Sequence, residues 1–137
     1  MALDVGGWNP GRPDGYNHNL VDPFSIVHAA VGALFALARV PAPIAIGAQI
    51  AFELTENDLK KVTKDFWPDW TPDGAEQHVG DVLSFTAGYY LARLLKDSRG
   101  GGWMLTALAA TAAGIWTYNM VESRRLQVRA ATARFDR

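Results

Sequence analysis

Five residues of this chain carry groups suited to chemistry: His28, Glu53, Glu56, His78 and Asp81. Each stands beside or just inside a stretch that is nearly free of charge. Imidazole and carboxylate together form a donor set for a divalent metal, and His28, Glu53, His78 and Asp81 make one candidate set of ligands. A metal held there would polarise an ester or phosphate and activate water. Without a metal, His28, Glu53, Glu56 and Asp81 remain candidates for acid–base catalysis. The spacing matches neither H-E-x-x-H nor Glu-x-x-His, so the pattern alone names no reaction. Ser25 and Ser84 bear hydroxyls but lie outside any nucleophile-elbow sequence, and capping or packing roles suit them better.

The elements that must position these groups are helices. Three apolar stretches, 22–53, 82–95 and 102–121, alternate with polar segments at 1–21, 54–80 and 122–137. The mean hydropathy of -0.02 is the average of these two kinds of sequence. Asp22 is a good N-cap and Pro23 suits the first helical position, so a helix opens there and runs to Ala38. Val40-Pro41-Ala42-Pro43 makes a tight turn into a second helix, from about Ile44 to Lys64. On it Gln49, Glu53, Asn57 and Lys60 share one face, while the charged TENDLKKVTK half is expected to project into water. A third helix is expected from Asp81 to Leu95, with Asp81 at its positive N-terminal end. A fourth starts near Trp103 and can continue into the basic tail. Asp65, Asp69 and Asp73 lie four apart in the intervening loop, which is not calcium-loop spacing and reads as solvated carboxylates.

At 137 residues the chain is a single domain: an irregular segment 1–21, a helical bundle 22–121 and a basic tail 122–137. The formal charge of -1 provides no field for nucleic acid, and the absence of cysteine removes disulfide and thiolate chemistry. The first residues lack the basic and apolar regions of a secretory signal. From Ala29 to Ala38 every residue is apolar or glycine, where a helix on a water-facing surface would show a polar stripe. The fold class expected is therefore all-α, an integral membrane bundle of about four short transmembrane helices. A full span takes about 20 apolar residues, and shorter ones are tolerated by local thinning of the bilayer. Trp8, Tyr16, Phe66, Trp67 and Trp70 suit the membrane–water interface.

Two short turns place the N-terminus, the 54–80 segment and the tail on one side, together with all five candidate residues. Arg12, Lys60, Lys61, Lys64 and the tail arginines lie there too, so the positive-inside rule favours that side as cytoplasmic. The tail can also touch anionic headgroups, at about 1 kcal/mol per basic residue near the surface. Asn119 and Glu122 are expected at the same level as the cluster. Small residues four apart, Gly32 with Ala36 and Gly88 with Ala92, permit close helix approach.

Three blocks, VDPFSIVHAAVG at 21–32, FELTEN at 52–57 and HVGDVLSFTAGYY at 78–90, resemble a group of small uncharacterised bacterial inner-membrane proteins distantly similar to the VanZ-like group. The matching residues are Asp22, Pro23, Phe24, Ser25 and His28, then Glu53, Glu56 and Asn57, then Asp81, Gly88 and Tyr89. Gln77 departs from the group's usual Asn, and no second His follows the first-helix His. The resemblance covers residues 21–92 and implies a helical bundle of the bacterial inner membrane, with no settled activity.

Two functions stay open at this level. One is a non-catalytic accessory subunit, with the lipid bilayer and other membrane subunits as partners and the polar cluster fixing helix packing. The other is a small membrane hydrolase acting on a lipid or lipid-linked substrate, with a divalent metal as its cofactor. The first requires a direct His28–Glu53 bond and no cavity. The second requires a cleft on which at least three of the five residues converge.

Overall fold

Local sequence starts the first helix where it should. The computed structural model describes residues 20–63 and 72–135 and, beyond Val121, the side chain of Arg125 alone. Its elements are α1 (Pro23–Leu37), α2 (Ala42–Val62), α3 (Ala75–Leu95) and α4 (Gly101–Phe135). Asp22 caps α1 reciprocally with Ser25: the Ser25 N–H donates to Asp22 Oδ1 at 3.0 Å, and the Asp22 N–H donates to Ser25 Oγ at 3.1 Å. Ser25 is thereby committed to the cap.

α1 ends in a Schellman arrangement, with the Val40 N–H on the Phe35 carbonyl and the Arg39 N–H on the Ala36 carbonyl. The left-handed position falls on Arg39 (φ 61°) rather than glycine, at a cost of about 1 kcal/mol. Tyr89 compensates from α3 by donating its hydroxyl to the Val40 carbonyl at 2.6 Å.

α1 packs chiefly on α3, with α4 against α1 and α2 against α3. The α1–α3 seam is close because glycines meet backbone across it. A Cβ at Gly32 would lie 2.0 Å from the Phe85 carbonyl oxygen, and one at Gly88 1.9 Å from that of Ala29. The core beside this seam is small: Ala33, Ala36, Ala45, Phe85, Tyr89 and Ala92, with Phe35 edge-on to Phe85 at 5.5 Å.

Four expectations need correction or completion. α3 begins at Ala75, six residues before Asp81, because after Gly74 the helix-forming Ala-Glu-Gln run is uninterrupted. Asp81 therefore lies in the second turn, not at the helix end, and Gln77 and His78 join it on the same helix. The 54–62 half of α2 does not wholly face water, since Glu56 and Lys60 are buried. Asp73 is buried as well, against its reading as a solvated carboxylate. Among the described residues no helix is long and apolar enough to cross a membrane; α1 has 15 residues. Trp8, Tyr16, Asp65, Phe66, Trp67, Asp69, Trp70 and the side chains of Glu122 and most tail arginines lie outside the described residues.

Candidate functional site

Helical periodicity builds most of the site. On α2, Gln49, Glu53, Glu56 and Lys60 follow one another at four, three and four, which stacks them along one face, and all four are buried. α3 sets Gln77 and Asp81 one turn apart, with His78 between them, and α1 contributes His28. Asp73 is added just ahead of α3. The side chains of His28, Glu53, Glu56, His78 and Asp81, from three helices, thus converge.

The contacts are specific. Gln49 Nε2 donates to Glu53 Oε1 and lies 3.0 Å from His28 Nδ1. His78 Nδ1 meets Glu53 Oε2 at 2.8 Å. His28 itself is 3.6 Å from Glu53 Oε1 through Nδ1 and 3.6 Å from Asp81 Oδ2 through Nε2, too far for direct hydrogen bonds. Gln77 Nε2 donates to Asp81 Oδ2 at 3.1 Å. Lys60 Nζ is paired with Asp73 and lies 3.3 Å from Glu56. Asn57 is held by Asp73 on both backbone groups, donating to its carbonyl at 3.0 Å and accepting its N–H at 2.9 Å.

Charge does not balance here. Glu53, Glu56, Asp73 and Asp81 are buried carboxylates, and Lys60 is the buried ammonium among the described residues. Lys60 serves Asp73 and Glu56, which leaves Glu53 facing Gln49, His78 and the Glu56 carboxyl, and Asp81 facing Gln77 and His28. A buried ionised carboxylate without a cation costs several kcal/mol. Among the described residues, three buried side-chain atoms also lack a hydrogen-bond partner: Glu56 Oε2, Gln77 Oε1 and Asp81 Oδ1. At the edge of the site, burial raises the Asp22 carboxyl above its usual range, against the lowering effect of the Ser25 and Phe24 N–H groups.

A cavity of about 340 Å³ opens beside these groups, within the size range of small-molecule pockets. Asp22, His28, Gln49, Glu56, Lys60, Asp73, Gln77 and Asp81 make it polar. Val27, Val31, Phe35, Phe52, Phe85 and Trp116 make the remaining wall apolar, with Phe24 edge-on to Trp116 at 6.3 Å. Glu53 and His78 are not on the wall, and neither is Ser84. Two trios place one donor atom each within 4.8 Å of the others: His28, Glu53 and Asp81, and Glu53, Glu56 and His78.

Helical spacing sets Gln49 and Lys60 on the face of Glu53, although neither type by itself signals a role. The spacing was the available signal for both. Asp73 and Gln77 carried no such signal, because a turn and the earlier start of α3 bring them in. Asn119, expected at the level of the cluster, donates to the Ile115 carbonyl of its own helix. Comparison with protein-family models, with curated proteins and with solved structures finds no match.

Proposed function

We propose that this bundle sits in a lipid bilayer and hydrolyses an ester or phosphoester bond of a lipid or lipid-linked substrate, with the help of a divalent metal ion held in the His28, Glu53, His78 and Asp81 cluster. The observation that carries this reading is the cavity: a wall of buried acids, histidine and lysine joined to a wall of aromatic and branched apolar side chains. A packing-only accessory role would close the core around a direct His28–Glu53 bond. Here Gln49 bridges the two instead, and the cavity lies open beside them.

The lipid setting is supported by the distribution of polarity across the bundle. Glu53 is 3% exposed and the adjacent Leu54 80%; Asp81 is 2% exposed and Trp103 80%. Leu34, Ile44, Leu83 and Leu94 also face outward, while the interior holds alanines and ionisable groups. Such an exterior is favourable in hydrocarbon and costly in water. A helix of 15 residues reaches about 22 Å, which a bilayer meets by thinning. A bacterial inner membrane is what the resemblance implies, and the charge distribution favours the cytoplasm as the side the cluster faces.

In this reading the apolar wall binds the hydrocarbon chain and the polar wall receives the ester. A bound ion would polarise the scissile group and acidify water. Glu56, which lines the cavity, takes a proton from water as the water oxygen bonds to carbon or phosphorus. The bond to the departing oxygen breaks, and that oxygen receives the proton. Lys60 faces the negative charge that builds up on the reacting group.

The test uses detergent-purified protein with added Zn²⁺ or Mn²⁺ and two p-nitrophenyl substrates, a carboxylic ester and a phosphodiester, each with short and long alkyl chains. One of them is turned over, faster with the longer chain, and His28→Ala and Glu56→Gln lower the rate at least 100-fold. Turnover of neither substrate above the His28→Ala background refutes the hydrolase reading.

A further inference from the structure

The cluster has an internal order that the list of candidate ligands hides. We infer that His28, Glu53 and Asp81 ligate the metal ion, and that His78 positions Glu53 without touching the ion. The inference deepens the hydrolase reading, which supplies the metal, and it rests on which lone pairs are already committed.

Asn57 fixes the first commitment. Its amide is held at both ends by the Asp73 backbone, so its orientation is set. That leaves Asn57 Nδ2 directed at His78 Nε2, at 3.3 Å. An N–H pointing at Nε2 makes that nitrogen the acceptor, and the ring proton then belongs on Nδ1. Nδ1 is the atom 2.8 Å from Glu53 Oε2, so His78 donates to the carboxylate. A nitrogen that carries a proton has no lone pair for a metal. The trio of Glu53, Glu56 and His78 is therefore a hydrogen-bonded contact rather than an ion site.

The other trio has its lone pairs open or replaceable. Gln77 occupies Asp81 Oδ2, while Asp81 Oδ1 is buried without a partner. His78 occupies Glu53 Oε2, which turns Oε1 toward His28. Gln49 Nε2 sits between Glu53 Oε1 and His28 Nδ1, donating toward both. His28 presents Nδ1 to Glu53 Oε1 and Nε2 to Asp81 Oδ2, each at 3.6 Å, and one donor atom of each of the three lies within 4.8 Å of the others, so they frame one ion once the imidazole turns a single nitrogen toward it. An ion there displaces the Gln49 N–H groups, and the amide can turn to offer its carbonyl oxygen. Each ligating carboxylate then has one oxygen for the ion and one held by a neighbouring N–H. That division orients ligands and raises affinity in metal sites. One imidazole and two carboxylates suit a borderline first-row ion such as Zn²⁺ or Mn²⁺, with coordination left over for water.

The experiment titrates chelator-stripped, detergent-purified full-length protein with Co²⁺, read by its visible absorption, and confirms stoichiometry by elemental analysis. The wild type binds one equivalent. His28→Ala and Asp81→Asn lose binding by more than 100-fold. His78→Ala and Asn57→Ala still bind one equivalent with the wild-type band shape, at about 10- to 100-fold weaker affinity. His78→Gln, which retains an N–H donor, recovers part of that loss. Circular dichroism of each stripped variant shows that the helices persist. The assignment is overturned if the wild type binds no ion, if Asp81→Asn binds like wild type, or if His78→Ala changes the band shape. Binding without hydrolysis would sink the hydrolase reading and leave the ligand set standing; hydrolysis with His78→Ala altering the spectrum would do the reverse.

Discussion

Replacing Gly88 by alanine should strike both the fold and the site, and the structure sets the size of the effect. The added Cβ would lie 1.9 Å from the Ala29 carbonyl oxygen, where ordinary contact begins at 3.4 Å. α1 and α3 must therefore separate by about 1.5 Å locally, because the obstacle is backbone and cannot rotate away. The movement pulls Phe85, Tyr89 and Ala92 from Ala33 and Ala36, the centre of the core. Overpacking costs about 1–3 kcal/mol, and a backbone clash belongs at the top of that range. For a chain of this length about 3 kcal/mol lowers Tm by roughly 10 °C. Gly47 is the control: on α2, a Cβ there meets nothing within 4 Å. Gly47→Ala should gain up to about 1 kcal/mol from helix propensity alone. Thermal unfolding followed by circular dichroism in detergent compares the two. A Gly88→Ala protein melting within about 2 °C of wild type, or a Gly47→Ala protein losing as much, would refute the reasoning about this seam.

Lys60→Met should cost about 3–5 kcal/mol, since it leaves Asp73 and Glu56 buried without their cation. Lys60→Met combined with Asp73→Asn should recover a large share of that loss in the same melts; strict additivity would show that the pair is not coupled. Tyr89→Phe removes the donor to the Val40 carbonyl and should cost about 1.5 kcal/mol, seen as a lower Tm with unchanged helicity. A loss below about 0.5 kcal/mol would mean that water replaces the hydroxyl at that turn.

Where structure is decided within a few residues, the sequence could be read directly. Asp22-Pro23 with Ser25 specifies the start of α1, and the capping bonds form as that pattern requires. The start of α3 is masked in the sequence because Asp81 resembles a cap, whereas Gly74 begins the helix two turns earlier. The ligand-like residues were legible for a different reason: His28, Glu53 and Asp81 carry ionisable groups among apolar neighbours, where burial demands a partner. Lys60 and Asp73 were not, since a lysine after a charged turn and an aspartate between Pro72 and Gly74 look solvated until tertiary packing turns them toward each other. The positive φ of Arg39 had no sequence cue at all, because the residue that relieves the turn, Tyr89, is fifty positions away.

These observations give α2 a distinctive place in the bundle. α1 and α3 are joined by backbone contact across glycines, but α2 touches α1 only slightly. Ala45 seats the start of α2 in the apolar core, but what ties the rest of it to its neighbours is largely polar: Gln49 to His28, Glu53 to His78, Asn57 to the Asp73 backbone and Lys60 to Asp73. The groups that would hold a metal ion and its substrate are thus the same groups that dock the helix. A cation bound at Glu53 would draw α2 further toward α1 and α3. Binding and tertiary order are therefore linked: any ion preferring the docked state stabilises it by its own binding free energy. A seam built from hydrocarbon would hold α2 equally well with or without a ligand. The polar seam ties the cavity between α1, α2 and α3 to whatever ion occupies it.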